Sequence, residues 1–289
     1  MDYANLQQFL DQGQAVLAKG PVALIFNEDG IELESTLRHT VRLGFKALVL
    51  LGDPADEIPG DLSREIHRIN YDVRADAAIQ NAVNAVIEAA PGQWFYYCYN
   101  AEYLFYPFSE TRSVGELLTF HTEERRDAML TYVIDLYATD FTRFPNAVSL
   151  TEAHLDRSGY YALGRPSRDN PDHNMERQLN FHGGLRWRYE EHIPPERRKI
   201  DRVGLFRAQP GLRLRHDHTF NEEEYNTYVC PWHNNLTASI ASFRTAKALK
   251  RNPGSTFDIQ SFEWHNSVPF EWHSRQLLDL GLMEPGQWF

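Results

Sequence analysis

An α/β fold with a mostly parallel, Rossmann-like sheet flanked by helices is the expectation from the first hundred residues, on three observations. Short apolar runs recur, each bounded by Gly, Pro, Asn or Asp. These runs are apolar throughout rather than alternating, the mark of strands covered on both faces. Between them lie segments with apolar residues at helical spacing, and strand–helix alternation of this kind builds a parallel sheet with helices packed on it.

Taken in order, Pro21 precedes the first buried strand, Val22 to Phe26, and Asn27-Glu28-Asp29-Gly30 turns the chain. Leu33, Leu37 and Val41 then repeat every four residues, a buried helical stripe closed by Gly44. Lys46 to Leu51 is a second buried strand, broken by Gly52-Asp53-Pro54, and Ile66 to Tyr71 is a third, shorter one. Asp76 to Ala90 reads as a helix with Ile79, Val83, Val86 and Ile87 on one face, and Trp94 to Tyr99 as an aromatic-rich fourth strand. The alternation is lost after Asp140. Residues 1–140 therefore form an α/β half and 141–289 a mixed α+β half, within one continuous domain.

In the second half, Ser158 to Asn180 is polar and rich in Gly, Pro, Asn and Asp, which predicts a long loop. Arg186 to Leu214 suits strands with turns at Pro194-Pro195 and Pro210-Gly211, and Leu236 to Lys250 suits a helix stopped by Asn252-Pro253-Gly254. The aromatic-rich stretch Phe257 to Trp272 is compatible with core, groove or interface.

Composition narrows the function classes. The 289 residues are 42% hydrophobic and 13% aromatic, which suits a protein with a sizeable core. A net charge of −11 argues against a general nucleic-acid or anionic-membrane binder. Only two cysteines are present, Cys98 and Cys230, so a disulfide framework is not expected and a reducing, cytoplasmic setting is. The start, MDYANLQQFLDQ, lacks the blocks of a signal peptide, and no apolar run approaches the roughly 20 residues of a membrane span. Docking on a membrane surface stays compatible with all of this.

The candidate chemistry lies in three places. Ligands of parallel sheets bind beyond the carboxyl ends of the strands, where Asn27-Glu28, Asp53 and Asn100-Ala101-Glu102 fall. Glu102 with Asn100 could share a hard cation, Mn or Mg, with a diphosphate; the bland alternative is a surface carboxylate after a core strand. Leu214 to His218 puts His216 and His218 on one side of a strand if the chain stays extended, and His233 would make a third zinc ligand. With 12 histidines in the chain, structural roles compete with that zinc hydrolase reading. Third, Gly183-Gly184-Leu185-Arg186-Trp187-Arg188 lies where nine arginines and one lysine meet four acids between Arg177 and Arg215. A glycine pair admits close backbone approach, and arginine forks match phosphate or carboxylate oxygens; a solvated hairpin is the alternative. No G-x-S-x-G turn and no Gly-rich phosphate loop occurs, and Cys98 reads as core.

The run Val22 to Glu28, the helix with Leu37-Arg38-His39, then Leu43-Gly44-Phe45 and a hydrophobic strand resemble the start of bacterial glycosyltransferase family 2-like proteins. Their Asp-x-Asp motif would fall on Asn100-Ala101-Glu102, and Gly183 to Arg188 looks like their Gly-Gly-x-Arg-x-Arg element. The likeness runs in order over roughly residues 20 to 250. It implies a GT-A fold and a hexosyltransferase-like enzyme that moves a sugar from a nucleotide-diphosphate donor to a saccharide or glycoconjugate acceptor, in polysaccharide assembly. In that chemistry Asn27, Glu28 and Asp53 lie near the nucleotide and Glu102 holds the metal. Gly183 and Gly184 line the substrate, Arg186 and Arg188 stabilise charge, and His216 or His218 takes the acceptor proton. The first half then binds the nucleotide sugar and the second carries acceptor and catalysis. This chain departs from the motif: Asn100 replaces an aspartate, Tyr103 follows in place of an acid, and Asp53 lacks its usual serine and glycine neighbours. A weak metal, reliance on arginines, or a non-catalytic nucleotide-sugar or partner binder of the same fold each fits that departure.

Overall fold

A computed structural model describes residues 1–230 and 234–288. The strands among them are β1 (Asp2–Tyr3), β2 (Val22–Phe26), β3 (Ala47–Gly52), β4 (Ile66–Asn70), β5 (Trp94–Tyr99), β6 (Glu102–Phe105), β7 (Ala128–Asp135), β8 (His154–Asp156), β9 (Tyr161–Pro166), β10 (Asn174–His182), β11 (Asp201–Arg207), β12 (Ala238–Ser242) and β13 (Ser267–Pro269). Nine of them form one sheet in the order β1-β4-β3-β2-β5-β11-β7-β12-β6. The pairs from β1 through β5 are parallel, as are β7 and β12, while β5 and β11 run antiparallel. The protein is therefore an α/β fold built on a large, mostly parallel mixed sheet.

The chain divides into two compact units, each assembled from distant segments. The first takes Met1–Tyr103, Thr111–Leu130 and Val203–Asn226, and the second takes Leu104–Glu110, Thr131–Arg202 and Thr227–Phe289. No helix among the described residues is long and apolar enough to cross a membrane.

The first unit follows the sequence closely. Every residue of β2 and β3 is buried, as continuous apolar runs require. The helix Leu33–Arg42 buries Leu33 and Leu37 and ends at Gly44, whose φ of +88° suits a helix terminus and whose N–H donates to Val41 O. The helix Ala78–Ala89 buries Ile79, Val83, Val86 and Ile87, the four residues of its apolar stripe. Ser113 and Glu116 cap the helix Val114–Glu123 reciprocally.

The second unit departs from expectation in three stretches. Ser158 to Asn180 is not a loop. It carries the antiparallel hairpin β9–β10, whose residues are mostly exposed or half-buried and largely polar, so no apolar alternation marked it. The hairpin is instead tied by Arg165, which donates to Asn180 and Leu179 O at 2.9 Å and to Asp201 at 2.7 Å. Residues 184 to 188 are helical rather than extended, and β11 is the single strand between Arg186 and Leu214. Leu236 to Lys250 is not one helix: β12 pairs with β7, all five of its residues buried, before the helix Arg244–Arg251. Small residues on every face of Ala238-Ser239-Ile240-Ala241-Ser242 let that strand be covered on both sides. The unit's core gathers Tyr137, Leu185, Ala246, Leu249, Ile259 and Phe262.

Candidate functional sites in the two units

In the first unit the chain builds β2, β3 and β4 toward one side, then returns to place β5 on the other side of β2. Strand order therefore reverses between β2 and β5, and a crevice beyond the carboxyl ends of such a strand pair is where open α/β sheets hold ligands. The in-register pairing of Phe26 with Tyr99 sets Asn27 and Asn100 side by side at those ends. Asn27 donates to Asp56 at 2.5 Å and accepts the Gly30 N–H at 3.0 Å. Asn100 accepts the Glu28 N–H at 2.8 Å and donates to Asp29 at 2.6 Å and to Ile31 O at 2.8 Å. Two amides thus fix the 27–31 turn. Arg74 reaches over it from beyond β4 and donates to Glu28 O at 2.8 Å.

Asp53 follows β3, exposed, and accepts the Ala55 N–H at 2.8 Å. It lines a cleft of about 100 Å³ with Gly52, Pro54, Arg68, Ile69 and Asn70. Arg68 closes one wall through bonds to Pro54 O and Asp56 O. Asn27, Glu28, Asp53 and Asn100, singled out from the sequence, therefore stand on adjacent strand ends. Arg74, Asp29 and Asp56 belong with them and were missed. Only fold geometry brings Arg74, a turn residue, back to the end of β2.

Asn100 and Glu102 differ from their expected form. Asn100 is fully buried with its amide engaged, and Ala101 adopts φ +59°, so the segment is a tight turn between β5 and β6. Glu102 is 1% exposed rather than a surface carboxylate, and accepts the Tyr99 N–H at 2.9 Å, holding the turn from inside. Among the described residues no group of three or more His, Cys, Asp or Glu is placed to hold a metal ion.

His216 and His218 do not lie on one side of a strand. Residues 215–219 make a tight turn closed by the Arg215 N–H to Thr219 O bond at 2.7 Å, between Leu214 and Phe220. His218 sits at φ +61°, stacks on Tyr97 with ring centroids 5.9 Å apart, and shares a 3.0 Å hydrogen bond with its hydroxyl. His216 is exposed. His233, the third residue of the expected zinc set, lies outside the described residues.

The Gly-Gly-x-Arg-x-Arg element belongs to the second unit. Gly183 has φ +155° and a side chain there would run into the Tyr160 ring, its Cβ 2.2 Å from Tyr160 Cδ1. Gly184, at φ +63°, opens the helix Gly184–Arg188, and a Cβ on it would come within 3.0 Å of Asp135 Oδ2. The two arginines find different aspartates. Arg188 pairs with Asp156 at 3.1 Å, donates to Phe262 O at 2.7 Å, and lies over Trp264 with the guanidinium 4.6 Å from the ring centroid. Asp156 also accepts the Tyr137 hydroxyl at 2.5 Å and the Trp264 indole N–H at 2.7 Å. Arg186 donates to Lys199 O at 2.6 Å and to Thr245 at 3.1 Å, and stands 3.6 Å from Asp135, the last residue of β7. Burial raises the Asp135 carboxyl above the ordinary aspartate range, against the opposing pull of Arg186. Asp135, Asp156 and Tyr160, the partners of the motif, were not legible in the sequence; their only signal was a strand-end aspartate in Val133-Ile134-Asp135.

No protein-family model and no curated protein sequence matches this chain.

Proposed function

We propose that the chain is a GT-A-type glycosyltransferase that binds a nucleoside diphosphate sugar at the carboxyl ends of β2, β3 and β5 and passes the sugar to a saccharide or glycoconjugate. One observation supports this above the rest: Asn27 and Asn100 follow the paired strand ends Phe26 and Tyr99 where the strand order reverses, and both brace the turn that a nucleotide would meet. The resemblance of Val22–Glu28 and Gly183–Arg188 to family 2-like transferases supplies the ligand class. In this reading Asp53 accepts a hydrogen bond from the ribose or base, and Arg74 meets the diphosphate with its remaining N–H groups.

The divalent cation that the resemblance implies does not fit Asn100 and Glu102 as they stand. The amide of the first is engaged on three sides, and the carboxylate of the second is buried against the Tyr99 N–H. No step is therefore routed through a metal, and the charge of the leaving diphosphate falls to Arg74. The same engagement favours a second reading, a protein of this fold that binds the nucleotide sugar without turning it over.

Thermal-shift titration with UDP, GDP, CDP and dTDP tests the reading. One diphosphate should raise the melting temperature, manganese should leave the shift unchanged, and Arg74→Ala should weaken binding roughly tenfold. A protein indifferent to all four overturns it. Release of free nucleotide from the matching donor then separates the transferase from the binder.

A further inference from the structure

We propose that Asp135 Oδ1 and the Tyr160 hydroxyl form a hydroxyl-binding subsite for a neutral, saccharide-type ligand within the second unit. Asp135 is 1% exposed, and its Oδ1 has no hydrogen-bond partner among the described residues. The nearest cation, Arg186 Nε, stands 3.6 Å from that oxygen, while Oδ2 accepts the Arg186 N–H at 3.3 Å. The Tyr160 hydroxyl is equally buried and equally without a partner. Buried polar atoms are almost always bonded, so two such atoms in one cluster mark groups shaped for something else. Burial, and after it the charges of Asp156 and Asp135, raises the Tyr160 phenol well above its ordinary value.

The ligand class follows from the charges and from the walls. Asp135 and Asp156 are balanced by Arg186 and Arg188, so the cluster favours neither an anion nor a cation. An acceptor-only oxygen against Gly184 and, against Gly183, a hydroxyl that both donates and accepts are matched by the hydroxyls of a polyol. Gly183 and Gly184 let Tyr160 and Asp135 approach the backbone closely, since a Cβ at either position would collide with them. Next to Tyr160, Gly159 packs on Trp187 and Trp264, and the Trp187 indole is 40% exposed. Tyr161, 43% exposed, stacks on His182 with centroids 5.2 Å apart. Exposed aromatic faces offer the apolar side of a sugar ring a surface with little entropy to lose. The half-buried Tyr160 ring covers Gly183, so entry of a ligand here requires that ring to swing aside.

Naming this ligand as the acceptor rests on the transferase reading; the subsite does not. The test is saturation-transfer NMR on the full chain with the methyl glycosides of glucose, galactose, mannose, rhamnose and N-acetylglucosamine. At least one should bind, and both Asp135→Asn and Tyr160→Phe should weaken it roughly tenfold. The variants' melting transitions and nucleotide shifts serve as fold controls. If Asp135→Asn fails to fold, Tyr160→Phe, which removes one oxygen, decides alone. Binding of none of the five, or binding that ignores both substitutions, overturns the proposal. Glycoside binding without any nucleotide shift sinks the transferase reading and keeps the subsite. A nucleotide shift with glycoside binding blind to the variants does the reverse.

Discussion

Two aspartate–arginine pairs hang from the same short helix, and they are not alike. Asp156 is rich in donors: Arg188, the Tyr137 hydroxyl and the Trp264 indole all donate to its Oδ1, Arg188 reaches Oδ2 at 3.4 Å, and the guanidinium is stacked on the same indole. Asp135 has a long ion pair to Arg186, one long backbone bond and the Thr245 side chain facing it, and its Oδ1 makes no close hydrogen bond among the described residues. Residue types and burial match; only the hydrogen-bond accounting differs. A buried carboxylate with several donors holds a fold together, whereas one left short costs stability and is retained for what it can bind. The comparison assigns Arg188 to the scaffold and the Asp135 side of the motif to function.

The largest effect should fall on the donor-rich pair. Asp156→Ala leaves Arg188 buried without its partner and strips acceptors from Tyr137 and Trp264. It is expected to cost about 3–5 kcal/mol in urea unfolding, with Asp135→Ala costing less than half as much. Equal losses would erase the distinction. Gly183→Ala comes next, because the new methyl collides with the Tyr160 ring and the φ of +155° is one that L side chains rarely adopt. A cost of about 1–3 kcal/mol is expected from the backbone alone. A further displacement of Tyr160 should be visible in the near-ultraviolet circular dichroism.

The contrast between the two units also shows what the sequence could carry. In the first, one physical signal decides the central strands: a strand buried on both faces is apolar throughout, as β2 and β3 are, or aromatic, as β5 is. Asn27, Glu28, Asp53 and Asn100 were legible because they terminate such strands, and topology alone sends ligands there. In the second, polar partners do the work that apolar faces do elsewhere. Arg165 ties a half-exposed, largely polar hairpin that has no hydrophobic period, and Ala238–Ser242 is too small-residued to announce a strand. Glu102 misled for a related reason. Its charge reads as surface, but the carboxylate is turned inward, where it accepts the Tyr99 N–H inside a turn. The Gly-Gly-x-Arg-x-Arg motif was visible and its aspartate partners were not, since Asp135 and Asp156 lie 51 and 32 residues from the arginines they meet.

A smaller effect probes how far the number of donors matters within the Asp156 cluster. Tyr137→Phe removes one donor to Asp156 and the bond to Ser267 at 2.7 Å, while leaving the ring in its core. A loss of about 1–1.5 kcal/mol is expected, since Arg188 and Trp264 still satisfy the carboxylate. A loss as large as that of Asp156→Ala would mean the hydroxyl, not the arginine, holds the cluster.

The smallest and most discriminating effect is the pH dependence of Asp135→Asn. At neutral pH the substitution should change stability by no more than about 1 kcal/mol, because it removes a charge that the fold does not fully compensate. The groups facing that carboxyl are Arg186 and Thr245, which favour its ionised form, and Asp156, which opposes it. Burial outweighs them, so the folded state keeps the proton at pH values where the unfolded chain has already released it. The proton's contribution is therefore full below the ordinary aspartate value and is lost as pH rises through the raised folded value. Stability of the wild type relative to Asp135→Asn should accordingly fall as pH climbs from about 4 toward neutrality. Parallel stability curves for the two proteins across that window would show a carboxyl no more strained than an ordinary one, and would return Asp135 to the scaffold beside Asp156.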